Sequence, residues 1–133
     1  TLFKGDTYMK KLVFYRCSVC GNVAVKLVDS TIPMVCCGKR MEEVTANTTD
    51  AAQEKHVPVV SQNGAVVSVK VGSVPHPMTE EHYIQFIVLK TNKMVQIKEL
   101  LPNEAPETVF TLNKGEKVEE VYAYCNLHSL WKA

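Results

Sequence analysis

No apolar stretch in this sequence approaches the ~20 residues that a membrane-spanning helix needs, and no membrane partner is expected. Runs of like charge are also missing. Fifteen Lys and Arg against fourteen Asp and Glu leave a formal net charge of +1, so neither a nucleic-acid surface nor a polybasic membrane patch is expected. Apolar periodicity of 3.6 residues is absent, which excludes a long amphipathic helix, and there are no internal repeats or low-complexity segments. No secretion signal is expected from these residues either: Leu12-Val13-Phe14-Tyr15 after Lys10-Lys11 imitates one, but its apolar part is short and no small-residue cleavage site follows. A soluble, cytoplasmic protein is the expectation. Met9-Lys10-Lys11 makes a natural beginning, which would leave residues 1–8 as an upstream extension.

Two residue types are scarce and unevenly placed. Cysteine occurs at Cys17, Cys20, Cys36 and Cys37, and then only at Cys125. An odd count with no secretion signal argues against a disulfide framework, and four thiols within about twenty residues favour a metal site. Histidine occurs only at His56, His76, His82 and His128.

With 133 residues, 46% of them hydrophobic, the chain can form one ordinary domain or a modest domain plus a small module. Residues 10–16 read as a strand of aromatic and β-branched types, and residues 23–28 as a second. Gly21 and Asn22 tolerate positive φ, as a knuckle with N–H groups aimed at sulfur requires. Residues 30–33 turn the chain back toward Cys36-Cys37-Gly38. A core of this size needs a staple. Residues 42–53 are polar and read as a linker, with Thr49-Asp50 as the cap of a single helical turn. The expected division is therefore a module over 1–43 and a larger domain over 44–133.

Beyond the linker the pattern is alternation. Val67, Val69 and Val71 oppose Ser68 and Lys70, while residues 83–89 are apolar on both faces and predict a strand buried on both sides. Val95 to Glu99, Phe110 with Leu112, and Val118 to Cys125 read as further strands, separated by turns at 62–64, 91–93, 102–104 and 113–116. Strands at this spacing predict an all-β fold: an immunoglobulin-like antiparallel sandwich after a small metal-bound module.

Four thiolates suit tetrahedral zinc or iron, and a structural zinc knuckle is the plainer reading of Cys17, Cys20, Cys36 and Cys37. The adjacency of Cys36 and Cys37 predicts a distorted tetrahedron, because neighbours cannot both adopt relaxed knuckle geometry. A histidine taken singly is more often structural than a ligand. Here all four lie at expected strand ends or in stiff loops, His76 between Pro75 and Pro77, where a sandwich collects functional residues. Four imidazoles and the thiolate of Cys125 suit iron better than zinc, which closes at four ligands. A thiolate opposite an open position would push electron density toward a bound oxygen ligand. A ferrous centre of that composition carries a formal charge of +1 and attracts a small anion. Lys55 would add steering and orient a proton-donating water, and Glu54 could fill the open position. Read on charge alone, the two are equally a solvated pair beside a turn.

Taken together, Cys17-x-x-Cys20-Gly21-Asn22, Cys36-Cys37-Gly38, Glu54-Lys55-His56-Val57-Pro58, His76-Pro77-Met78-x-x-x-His82-Tyr83-Ile84 and Cys125-Asn126-x-His128-x-x-Trp131 closely resemble desulfoferrodoxin, the two-iron superoxide reductase family. The resemblance runs from about Cys17 to the C-terminus. It implies a desulforedoxin-like module with iron on Cys17, Cys20, Cys36 and Cys37, a site that would also accept zinc. It further implies a catalytic non-haem iron with His56, His76, His82 and His128 equatorial and Cys125 axial. Superoxide would be reduced to hydrogen peroxide there, with Glu54 ligating the ferric resting site and Lys55 drawing in the anion. A rubredoxin-type donor and a homodimer are the partners implied. Other readings are an electron carrier using only the four-cysteine iron, a zinc-stabilised interaction module, and a hydrolase built on Cys125 and His128.

Overall fold

The computed structural model describes residues 11–133, so Lys10 and the expected extension at residues 1–8 lie outside the described residues. The described chain divides into two compact units, residues 11–45 and residues 46–133.

The smaller unit is built on three short strands, β1 (Phe14–Arg16), β2 (Val23–Val25) and, after a two-strand hairpin, β5 (Glu42–Val44). β1 is central and pairs antiparallel with both neighbours. The second strand is shorter than the sequence suggests: it ends at Val25, and Leu27 and Val28 beyond it are 87% and 85% exposed. Glu42–Val44, which read as linker, is drawn into the module by its pairing with β1. The hairpin consists of β3 (Val35–Cys36) and β4 (Lys39–Arg40), joined by Cys37-Gly38. Both of those central residues have positive φ, 52° and 72°, the type I′ pattern whose twist matches paired strands.

The larger unit opens with one helical turn, α1 (Gln53–His56), followed by seven strands: β6 (Pro58–Asn63), β7 (Val66–Val71), β8 (Ile84–Thr91), β9 (Val95–Glu99), β10 (Glu107–Thr111), β11 (Val118–Cys125) and β12 (Ser129–Lys132). They form an antiparallel three-stranded sheet in the order β10-β7-β6 and a four-stranded sheet in the order β12-β11-β8-β9. The alternation along β7 puts Val67, Val69 and Val71 in the core at 0% exposure, opposite Ile84, Ile87 and Leu89 of β8 and Val121, Ala123 and Cys125 of β11. The all-β expectation therefore holds: a small module and an immunoglobulin-like antiparallel sandwich.

Two local features differ from the sequence reading. The helical turn starts at Gln53 with Ala52 as its N-cap and no side-chain cap, so Thr49-Asp50 does not cap it. The last strand, β12, was not foreseen; it pairs with β11 across a three-residue loop, Asn126-Leu127-His128, with Ser129 at φ 68°. Where β11 meets β8 the register slips between Tyr124 and Cys125, a bulge that ends the regular ladder at the cysteine.

Candidate metal centres

In the module, the sulfurs of Cys17, Cys20, Cys36 and Cys37 lie within 4.8 Å of one another. Gly21, at φ 81°, lets the first turn close: its N–H reaches Cys17 O at 3.0 Å, and Cys17 N–H reaches Asn22 O at 2.8 Å. That closure aims the backbone N–H groups of Val19 and Cys20 at Cys17 Sγ, each at 3.4 Å. These two donors pull the Cys17 thiol down to about 6. Cys37 is pushed the other way, to about 12, because the sulfurs of Cys20 and Cys17 crowd it. Backbone donors that favour the thiolate at Cys17, beside sulfurs whose crowding disfavours it at Cys36 and Cys37, are the chemistry of a metal site rather than of inert thiols. The adjacency of Cys36 and Cys37 is accommodated by unlike roles, Cys36 ending β3 and Cys37 entering the left-handed turn.

In the sandwich, His56 stands on α1, His76 and His82 between β7 and β8, and Cys125 and His128 around the β11–β12 loop. The four rings form a closed cycle of near-perpendicular neighbours. Centroid separations are 4.7 Å for His56–His76 and for His76–His82, 5.2 Å for His82–His128 and 4.9 Å for His128–His56. His56 Nε2 lies 3.2 Å from both His76 Nε2 and His128 Nδ1, and Cys125 Sγ lies 3.9 Å from His128 Nδ1. Ligand atoms of His56, His76, His82 and Cys125 fall within 4.8 Å of one another.

The tautomers follow from the outer contacts. His56 Nδ1 is 2.6 Å from Ala52 O and His76 Nδ1 is 2.6 Å from Pro77 O. A carbonyl only accepts, so both Nδ1 atoms carry the proton and both Nε2 atoms turn a lone pair inward. Two lone pairs 3.2 Å apart repel unless a cation lies between them. Nitrogens in neighbouring positions on one ion at about 2.1 Å are about 3 Å apart, so the spacing fits a shared metal. His82 Nε2 is buried with no hydrogen-bond partner, a third donor aimed at the same point. Burial lowers the imidazole pKa of His56 and His82, and that of His76 to about 4, which keeps these rings neutral and ready to ligate. Cys125 is fully buried; burial raises its thiol pKa, while the N–H groups of Leu127 and His128 oppose the rise. A buried cysteine of this kind becomes a thiolate when a cation compensates it. The donor set of imidazole and thiolate suits iron.

A family model described as Desulfoferrodoxin matches residues 48–133. The chain belongs to the desulfoferrodoxin family. The desulfoferrodoxin of Syntrophotalea carbinolica is 46% identical over 125 residues, covering 93% of this chain and 97% of its own. Among solved structures, the superoxide reductase from Treponema pallidum superposes with a TM-score of 0.79 at 41% identity and covers 93% of this chain and 99% of its own. The superoxide reductase (1Fe-SOR) from Giardia intestinalis covers 60% of this chain and 95% of its own, with a TM-score of 0.53 at 33% identity.

Glu54 and Lys55 are exposed on α1, directly before His56 in the chain, and among the described residues neither forms an ion pair. The Lys55 charge nevertheless reaches His56 and His82, adding to the effect of burial. Three supporting residues were given no role from the sequence, although Asn126 and Trp131 belong to the last of the motifs quoted above. Gly72 packs so tightly on α1 that a Cβ there would lie 2.6 Å from Glu54 O. Trp131 stacks on His56 at 4.8 Å and donates its Nε1–H to His128 O at 2.9 Å. Asn126 bonds to the backbone on both sides of His82. Rarity could have flagged the lone tryptophan; nothing in the sequence distinguishes Gly72 from a turn glycine.

Proposed function

We propose that the chain is a superoxide reductase whose catalytic iron is held by His56, His76, His82, His128 and Cys125. The observation that supports it most is the closed cycle of four imidazoles beside one buried thiol. Bound there, iron would supply one electron, cycling between ferrous and ferric states beside a thiolate that favours transfer to an oxygen ligand. The protein's own residues do the rest. His56 and His76, their Nδ1 protons committed to carbonyls, stay neutral, so the centre keeps the net positive charge that attracts an anion. Lys55 adds to that field and orders the water that delivers protons, two of which, with one electron, convert superoxide to hydrogen peroxide. Glu54, its neighbour on α1, is the carboxylate that would be available to ligate a ferric ion held there.

Residues 1–43 are proposed as the accessory module, with Cys17, Cys20, Cys36 and Cys37 holding a second iron that zinc can replace, and residues 44–133 as the catalytic domain. A rubredoxin-type protein is the proposed donor, and the proposed assembly is a homodimer. No helix among the described residues is long and apolar enough to cross a membrane. Five free cysteines fit a reducing cytoplasm.

Metal analysis of the isolated chain should give two irons, with a ferric–thiolate absorption band distinct from that of the four-sulfur site. Cys125→Ser should lower the rate at which superoxide oxidises the ferrous protein to the background of the metal-free chain. An unchanged rate would refute the assignment.

A further inference from the structure

Three hydrogen bonds join the β11–β12 loop to the segment carrying His82, and all of them come from Asn126. Its Oδ1 accepts from Tyr83 N–H at 3.0 Å, its Nδ2 donates to Glu81 O at 2.9 Å, and its backbone N–H donates to Tyr83 O at 3.3 Å. Glu81 and Tyr83 flank His82, so one carboxamide grips the chain on both sides of that residue. Asn126 is itself the neighbour of Cys125.

His82 has particular need of such a grip. The rings of His56 and His76 are each locked through Nδ1 onto a carbonyl at 2.6 Å. Among the described residues the His82 ring has no carbonyl partner, and its buried Nε2 has no hydrogen bond at all. Its direction is therefore set by its backbone together with the neighbouring rings of His76 and His128. One hold on that backbone is Thr79, whose hydroxyl and peptide groups bond His82 N–H and O at 3.0–3.3 Å. The other is Asn126.

We propose that Asn126 is a positioning residue that holds His82 in register with Cys125 and His128 so that ligands from two segments meet at one metal. The chemistry selects the residue type. The carboxamide accepts from the Tyr83 N–H through one atom and donates to the Glu81 carbonyl through another, so it bridges two peptide groups at once. Aspartate would keep the first bond and set a carboxylate against the Glu81 oxygen; alanine would lose both. The inference rests on the ligand assignment given above.

The test uses the full chain loaded with ferrous iron and follows release of iron from the sandwich site to a chelator, with the four-sulfur absorption as an internal control. Asn126→Ala and Asn126→Asp should release this iron about 10–100-fold faster than the wild type, the range seen when a residue supporting a metal ligand is lost. The ferric–thiolate band should shift, and the far-ultraviolet circular dichroism should stay the same. In a His82→Ala background, Asn126→Ala should add little, because the ligand it positions is gone. Wild-type release rates in both variants would overturn the proposal, as would a full additional effect of Asn126→Ala without His82. If Asn126→Ala does not fold, Asn126→Asp, which keeps the Tyr83 bond, carries the comparison. Failure of the wild type to bind iron at this site would instead sink the ligand assignment itself, a result read without any Asn126 variant.

Discussion

The two units assemble their candidate metal sites by opposite routes. In the module the donors are close in sequence and the core is nearly absent: among residues 11–45 only Phe14 and Cys17 are buried, while Val19, Leu27, Val28, Ile32 and Val35 are exposed. In the sandwich the donors run from His56 to His128 and sit beside an extended core of β7, β8 and β11 residues. The module's fold is thus expected to depend on its metal, and the sandwich's metal on its fold. Removing the metal should separate the two most sharply. Structural metal binding in small domains is worth about 10–16 kcal/mol, far more than a core of this size supplies. Cys20→Ser, at an exposed ligand, or chelation should abolish amide-exchange protection in β1, β2 and β5 and leave β8 and β11 protected. Protection that persists in β1 without metal would break the comparison.

The protonation states differ in the same way. Cys17 is brought toward thiolate by two backbone N–H groups, whereas His76 is kept neutral by burial. Burial acts on the apo sandwich even without an ion. A folded-state pKa of about 4 against the ordinary 6.5 means that the unfolded chain binds the His76 proton first. Stability from this group is full above about pH 6.5 and is lost as pH falls toward 4, with a slope of at most about 1.4 kcal/mol per pH unit for each such histidine. His56 and His82 shift in the same direction. The metal-free chain should therefore melt at progressively lower temperature from pH 6.5 to 4.5, and His76→Gln should flatten that dependence. Equal slopes in the two proteins would show that His76 is not held neutral.

Most of the candidate donors stood out in the sequence because their residue types are rare. With four histidines and five cysteines, each finds a place in one of two clusters. The sandwich strands were visible through period-two alternation, clearest at Val67, Val69 and Val71. Elements shorter than that period can register were not: β3 and β4 have two residues each, and β12 only four. The start of α1 was missed because Ala52 caps it without a side chain. The supporting contacts were hidden for another reason. Asn126 and Gly72 act on backbone groups of Tyr83, Glu81 and Glu54, and a partner that is a peptide group leaves no trace in residue type.

Gly72 offers the finest test of the claim that the sandwich metal depends on the fold. An added Cβ would meet Glu54 O at 2.6 Å, the Lys55 carbonyl carbon at 3.0 Å and Val57 O at 3.1 Å, all of them backbone atoms that no rotamer change can move aside. The same turn is tied down by Val74 N–H and Ser73 Oγ, which bond Glu54 O at 2.8 Å and 3.2 Å. Relief must therefore come from backbone displacement, of the turn at residue 72 or of α1, which carries Glu54, Lys55 and His56 together. Gly72→Ala should destabilise the sandwich by about 1–3 kcal/mol, the usual cost of overpacking. It should also slow oxidation of the ferrous protein by superoxide more than the lost stability explains, while amide protection in the module stays unchanged. If the melting temperature falls but the superoxide rate per bound iron does not, the site tolerates movement of α1, and His56 is placed by its contacts with Ala52 and Trp131 rather than by the backbone packing around Gly72.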